Sequence, residues 1–195
     1  MQELYIAEVF LSLDAAQDGE AFFRTALGQA ETDAARLSRA IVLGQILLLE
    51  KKYREYAELA TETIAPLLTT MLKPVPASGR RDFLDSTTLA ELVGELALLP
   101  LGASEFLSQL PDKQLQDMRP RWEKLQAKAN DGSRPLLDLV LHGLYQALGR
   151  EKERQETAAR LKNRPAGSIV LPVESELGKA IVTLHNQMRD RLQRR

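Results

Sequence analysis

Asp138 and His142 stand four residues apart in a segment with helical patterning, so a carboxylate and an imidazole share one face there. Such a pair can ligate a metal if a third ligand and an open position are supplied. The chain has two histidines and no cysteine, which leaves only another carboxylate or the distant His185 as the third. The plainer reading is preferred: a histidine at the edge of a core stripe, beside a surface carboxylate. Glu55, Glu58 and Glu62 form a second eligible row, but acid–base work needs carboxyls in unlike, water-poor surroundings. This row reads as a solvated helix face. No glycine-rich phosphate loop, G-x-S-x-G elbow or H-E-x-x-H is present, and the lack of cysteine removes thiolate chemistry. Arg80-Arg81 reads as loop charge rather than a phosphate clamp. The expectation is a non-enzymatic chain with no catalytic, metal or cofactor residue.

A binding role is the sharper lead. Residues 1–33 carry seven acids (Glu3, Glu8, Asp14, Asp18, Glu20, Glu31, Asp33) against Arg24 alone. Residues 178–195 carry Lys179, Arg189, Arg191, Arg194 and Arg195 against Asp190. The two ends are thus matched to attract, within one chain or between two copies. Arg189, Arg191, Arg194 and Arg195 are candidate contacts for an acidic protein or for nucleic acid. Nucleic acid is disfavoured, because no aromatics are interleaved for stacking and the net charge is only −1. Cations are also ordinary terminators of a helix.

These groups have to be positioned by helices. The 195 residues are 44% hydrophobic and 5% aromatic, a Leu- and Ala-rich composition that favours helix over sheet. In the segment 52–72, Tyr53, Tyr56, Ala57, Ala60, Ile64, Leu67, Leu68 and Met71 fall on one stripe, with Arg54, Glu55, Glu58, Thr61 and Glu62 opposite. In 35–50, Leu37, Ala40, Ile41, Gly44, Leu47 and Leu48 do the same, and Ile46 and Leu49 widen the stripe as expected of an inner helix. Thr32 is placed to cap it. Pro66 predicts a kink near Thr63 or a restart.

Before this pair, 2–16 reads as a helix with Ile6, Val9, Phe10 and Leu13 inward. Asp18-Gly19 reads as a break, and 20–30 as a helix burying Phe22, Phe23, Ala26 and Leu27. After it, 73–81 is a Pro- and Gly-bearing linker. A helix from Asp85 buries Leu89, Leu92, Val93, Leu96 and Leu99 and stops at Pro100. Further helices are expected over 104–110, from an Asp112 cap with a kink or late start at Pro120, from Ser133 and Pro135 to a Gly149 stop, and over the charged stretch 150–162. Residues 163–173 read as an extended strap. A last helix over 174–193 has Leu177, Ile181, Leu184, Met188 and Leu192 on one side, and folds back on the stack or makes a homodimer. No 18-residue apolar run occurs, so no membrane span is expected, and a soluble cytoplasmic protein is the default.

Leu43-Gly44, Leu47, Tyr53 and Ala60 share a spacing with Leu141, Tyr145, Gly149, Ala158 and Pro165, offset by 98 residues between Leu47 and Tyr145 and again between Ala60 and Ala158. The pattern resembles the tetratricopeptide repeat, a helix pair with Leu-Gly, an aromatic, a small residue in the second helix and a terminal Pro. Tyr56 and Arg154 depart from it where the repeat places a small Ala. The resemblance implies stacked antiparallel hairpins with a concave groove for a peptide or helix. The groove would present Ile41, Gln45 and Leu48, without the Lys and Asn residues with which some family members clamp a carboxylate. The expectation is one all-α domain over 1–195, a solenoid or irregular bundle of about eight to ten helices. Its sub-units would be 1–72 and 85–162, joined by 73–84 and followed by 163–195. Its role would be to scaffold another protein, with a nucleic-acid-associated module acting through the basic end as the alternative.

Overall fold

A computed structural model describes residues 2–72 and 97–163. The linker, most of the helix expected from Asp85, Arg80-Arg81, the strap, the last helix and His185 lie outside the described residues. Those described are all-α, with no strand among them.

The amino-terminal part is built from α1 (Gln2–Ser12), α2 (Ala16–Gly28) and α3 (Asp33–Leu49). A long helix then runs as α4 (Tyr53–Leu59), one wide π turn (Ala60–Ile64) and α5 (Ala65–Met71). The carboxy-terminal part holds a 3-10 turn (Leu99–Gly102), α6 (Ser104–Leu107), α7 (Asp112–Lys128), α8 (Arg134–Ala147) and α9 (Glu151–Lys162). Connections of three to five residues join α1–α2–α3–α4 and α7–α8–α9, which forces neighbours to run antiparallel. α1 and α2 pack on α3, α3 on α4, the π turn and α5, and α8 on α6, α7, α9 and the 3-10 turn.

The chain reverses where a residue takes left-handed backbone geometry. Asp14 (φ 57°), Lys51 (φ 59°) and Gly149 (φ 66°) end α1, α3 and α8. In each case the next N–H bonds back five residues, Ala15 to the Phe10 carbonyl, Lys52 to Leu47 and Arg150 to Tyr145, a closure that satisfies orphan carbonyls. Asp18-Gly19 is therefore not a break but lies within α2. Gly19 is there for space, since a Cβ would sit 3.0 Å from the Phe10 Cβ. Thr32 caps α3 as expected, its Oγ1 accepting from the Ala35 N–H at 3.2 Å.

The α-helix restarts at Ala65 with Pro66 in its first turn, one of the two outcomes expected of that proline. It follows directly on the π turn, whose wider backbone takes up the missing donor and the ring's bulk. The turn also rotates Thr61 inward, to 4% exposure, although the apolar period puts it on the solvated face. Pro120 likewise sits inside α7; it is on the exposed side with Gln116, where water can satisfy the carbonyl it leaves unpaired. Asp112 lies in the first turn of α7 without capping it. Asn130, rather than Ser133, organises the start of α8, its Oδ1 accepting from the N–H groups of Gly132 (2.8 Å) and Ser133 (3.1 Å). Leu99 is exposed and Leu98 buried, because the 3-10 turn at Pro100 shifts the stripe by one residue. On α9, Thr157 is buried and Ala159 exposed.

The two parts meet across a continuous core. Trp122, fully buried, donates its Nε1–H to Thr61 Oγ1 at 3.0 Å. Tyr56 is buried and donates its hydroxyl to the Ala97 carbonyl, and burial pushes that phenol's pKa up. Phe106 stands edge-on to both Tyr53 and Tyr56, with centroids 5.7 and 5.4 Å apart. Asn130 Nδ2 donates to the Leu72 carbonyl at 2.7 Å, tying the start of α8 to the end of α5. Tyr56 fits where the repeat pattern has a small residue because Gly44 faces it: a Cβ on Gly44 would lie 3.2 Å from the Tyr56 ring.

Candidate functional site

Asp138 and His142 do not form a site. Asp138 is buried, 3% exposed, and is no surface carboxylate. Its Oδ1 accepts from Arg160 Nε and Nη2 at 3.0 and 2.8 Å and from Gln126 Nε2 at 3.2 Å. The bond to Asp138 raises the Arg160 pKa. The acid is thus consumed in joining α7, α8 and α9. His142 turns elsewhere, with Nδ1 3.3 Å from the Arg154 carbonyl. Among the described residues no group of three His, Asp or Glu is placed to hold a metal ion. Glu55, Glu58 and Glu62 are exposed as expected, and Glu55 and Glu62 pair with Arg24 and Arg121.

The expected groove on α3 is not presented as such. Ile41 is 5% exposed and belongs to the core, because α1, α2, α4, the π turn and α5 all pack on α3. Gln45 and Leu48 remain half-buried. Arg189, Arg191, Arg194 and Arg195 lie outside the described residues. A cleft of about 440 Å³ does open where the π turn meets α7, over Thr61 and Met118. Arg54, Lys113 and Arg121 line it against Glu58, Glu62 and Asp117, so its charge is balanced. Gln114 already spans it to the Arg54 carbonyl at 2.9 Å. Across it Glu62 is already paired with Arg121.

Among the described residues, three of the four exposed large apolar side chains fall on the α1–α2 hairpin, the fourth being Leu99. Leu13 is 71% exposed, Phe22 45% and Val9 40%. Val9 and Leu13 are one turn apart, joined by the Leu13 N–H to Val9 carbonyl bond. Phe10 bridges to α2 through Phe22, with ring centroids 5.7 Å apart, and Phe22 stands edge-on to the buried Phe23 at 5.2 Å. Asp14 and Asp18 are exposed in the same reversal. The expectation that Val9, Leu13 and Phe22 turn inward is overturned, and the cause is geometric. α1 ends at Ser12 and packs on α2 through Gly19, which leaves the Val9–Leu13 edge uncovered. The signal was present in Phe22-Phe23, since adjacent helical residues point about 100° apart and cannot both face one core.

A charged cluster fixes this hairpin to the next. Glu20 accepts from Arg24 Nε at 2.8 Å and from Lys52 Nζ at 2.5 Å, and Lys52 also lies 2.7 Å from Glu50 Oε2. Burial pushes the Glu20 carboxyl up, but the bonds from Lys52 and Arg24 and the nearby Glu50 outweigh it and hold it at about 2. The folded pKa lies below the ordinary 4.5, so the stabilisation is complete above that value and disappears as pH falls towards 2. Since Arg24 and Lys52 are partly solvated, a contribution on the order of 2 kcal/mol is expected. Urea unfolding of wild type and Glu20→Gln should therefore differ at pH 6, and the difference should shrink steadily as pH falls below 4.5 towards 2. Glu151, held at about 2 chiefly by Arg154, titrates in both proteins and cancels. A difference that stays constant with pH would contradict the ion-pair assignment.

No family model, curated protein or solved structure matches the chain. Among the described residues no helix is long and apolar enough to cross a membrane.

Proposed function

We propose that this chain is a non-enzymatic, cytoplasmic protein-interaction module of stacked helix hairpins, tetratricopeptide-like in kind. On this reading its α1–α2 hairpin docks a basic amphipathic helix. The observation that carries the reading is the exposure of Val9 and Leu13 on α1 and of Phe22 on α2, where Phe22 packs on Phe10, near an acidic reversal. Contiguous exposed apolar side chains rimmed by charge are the usual signature of a protein contact. Affinity comes from burying the leucine and the aromatic ring, and the acids at the rim set register and speed encounter. The neighbouring Glu20–Arg24–Lys52 cluster holds the hairpin rigid, which lowers the ordering cost of association.

The test is capture from native lysate by full-length chain, with nuclease and high-salt washes. Replacing Leu13 and Phe22 together by Glu should weaken capture at least tenfold, about 1.4 kcal/mol or more, with the far-UV circular dichroism unchanged because both residues are exposed. Gln45→Glu on α3 should leave capture intact. Equal loss in the Gln45 variant, or none in the Leu13/Phe22 variant, would remove the hairpin as the docking face. A catch abolished by nuclease would favour the nucleic-acid alternative.

A further inference from the structure

The turn between α7 and α8 carries a chemistry that the docking face does not use. The chain has two Asp-Gly steps, Asp18-Gly19 and Asp131-Gly132. At such a step the glycine, without a Cβ, lets its backbone nitrogen reach the aspartate side chain. The nitrogen bonds to Cγ, the amide proton and the carboxyl hydroxyl leave as water, and a succinimide ring closes. Water then opens the ring at either carbonyl. One opening returns aspartate; the other gives isoaspartate, whose chain runs on through the side-chain carboxyl carbon. No reagent besides water is needed. Gly19 is kept from this reaction because it lies inside α2, its N–H bonded to the Ala15 carbonyl at 3.0 Å. Asp131-Gly132 stands in a turn, with Asp131 exposed.

We propose that Asp131-Gly132 is a latent isoaspartate site, held closed by Asn130 and opened when α8 parts from α5. Asn130 Oδ1 accepts from the N–H groups of Gly132 at 2.8 Å and Ser133 at 3.1 Å, so the attacking nitrogen is engaged. Asn130 Nδ2 donates to the Leu72 carbonyl at 2.7 Å, so the guard is itself fixed from the end of α5. Arg134 Nη1 lies 3.6 Å from Asp131 Oδ1, but that carboxylate is 68% exposed, and so loose a surface pair holds little. The bond from Gly132 to Asn130 is therefore what keeps the step closed. Local opening of the seam frees Asn130 and the Gly132 nitrogen together. The isoaspartate then formed adds a methylene to the backbone between Asn130 and Gly132, which spoils the spacing of the two N–H groups that Asn130 holds. In this way the turn records a separation of the two parts.

The full chain is incubated near neutral pH, digested with a protease that cleaves before aspartate, and mapped by mass spectrometry. Isoaspartate resists that cleavage, and the succinimide is lighter by one water. In folded wild type, Asp131 should convert at least about tenfold more slowly than in the same chain unfolded in guanidinium chloride. Asn130→Ala should remove most of that difference, while Asp18 stays unconverted and the far-UV circular dichroism unchanged. Asp131→Glu should give no product, because glutamate would have to close a larger ring. A folded wild-type rate equal to the unfolded one, or one that Asn130→Ala leaves unchanged, would overturn the inference. Should that variant unfold, wild type in sub-denaturing guanidinium chloride decides. Asp131 should then convert in step with exchange of the Gly132 amide hydrogen, whereas fast conversion while that amide is still protected would overturn the inference as well.

Discussion

Replacing Trp122 with alanine should remove about 3–5 kcal/mol of stability, the cost of emptying a fully buried aromatic site. The ring is buried on all sides at the meeting of α7 with the π turn. Its loss also strands Thr61, whose Oγ1 accepts the indole N–H at 3.0 Å and which is itself 4% exposed. Trp122→Phe keeps most of the packing and should cost only about 1–2 kcal/mol, mainly the unmet hydroxyl and the smaller ring. Urea unfolding followed by far-UV circular dichroism distinguishes the two. A single transition displaced to lower urea is expected for Trp122→Ala, because Tyr56, Phe106 and Asn130 still tie the two parts together. A cost under 1 kcal/mol would mean that the seam is not closed as described.

Gly143→Ala should destabilise although alanine is the better helix former. In the interior of α8 the substitution would ordinarily gain up to about 1 kcal/mol. Here the added Cβ would lie 2.7 Å from the Gly102 carbonyl oxygen and 3.0 Å from its carbon. Both are backbone atoms, so α8 and the 3-10 turn must separate, at about 1–3 kcal/mol net. Gly28→Ala supplies the opposite sign. A Cβ there meets nothing within 4 Å, and a gain of a few tenths of a kcal/mol is expected at the exposed end of α2. If both substitutions stabilised, the close crossing of α8 over Gly102 would be wrong.

Helices were legible in the sequence wherever one apolar stripe met one core. The periods of α3, α7 and α8 name residues that are buried, and Thr32 and Gly149 mark ends by well-understood local chemistry. Helix ends fixed by neighbours were not. Asp14 and Lys51 take left-handed geometry without the glycine that normally announces it, while Gly19, which looks like a stop, is spent on a close approach to Phe10. Thr61 illustrates a further limit. Its inward turn depends on the π turn before Pro66 and on a tryptophan 61 residues away, and no local period encodes that partner. The same holds for Asp138, whose burial depends on Arg160 and Gln126.

The docking site followed a similar rule. A groove on α3 is what the repeat resemblance implies, but apolarity on all sides is what surrounding helices require, and they take Ile41 into the core. The exposed surface instead falls on α1 and α2, where Val9, Leu13 and Phe22 have the residue types of a core without a neighbour to cover them. Exposure is a tertiary property; only the Phe22-Phe23 step hinted at it.

Amide hydrogen exchange on the full chain tests the docking face most directly, with a synthetic basic amphipathic peptide as the probe. Added peptide should slow exchange over α1, the reversal at Asp14 and α2, and Leu13→Glu should cancel that protection. Protection confined to Gln45 and Leu48 on α3, or to the cleft between Glu58 and Arg121, with α1 and α2 unchanged, would contradict the account.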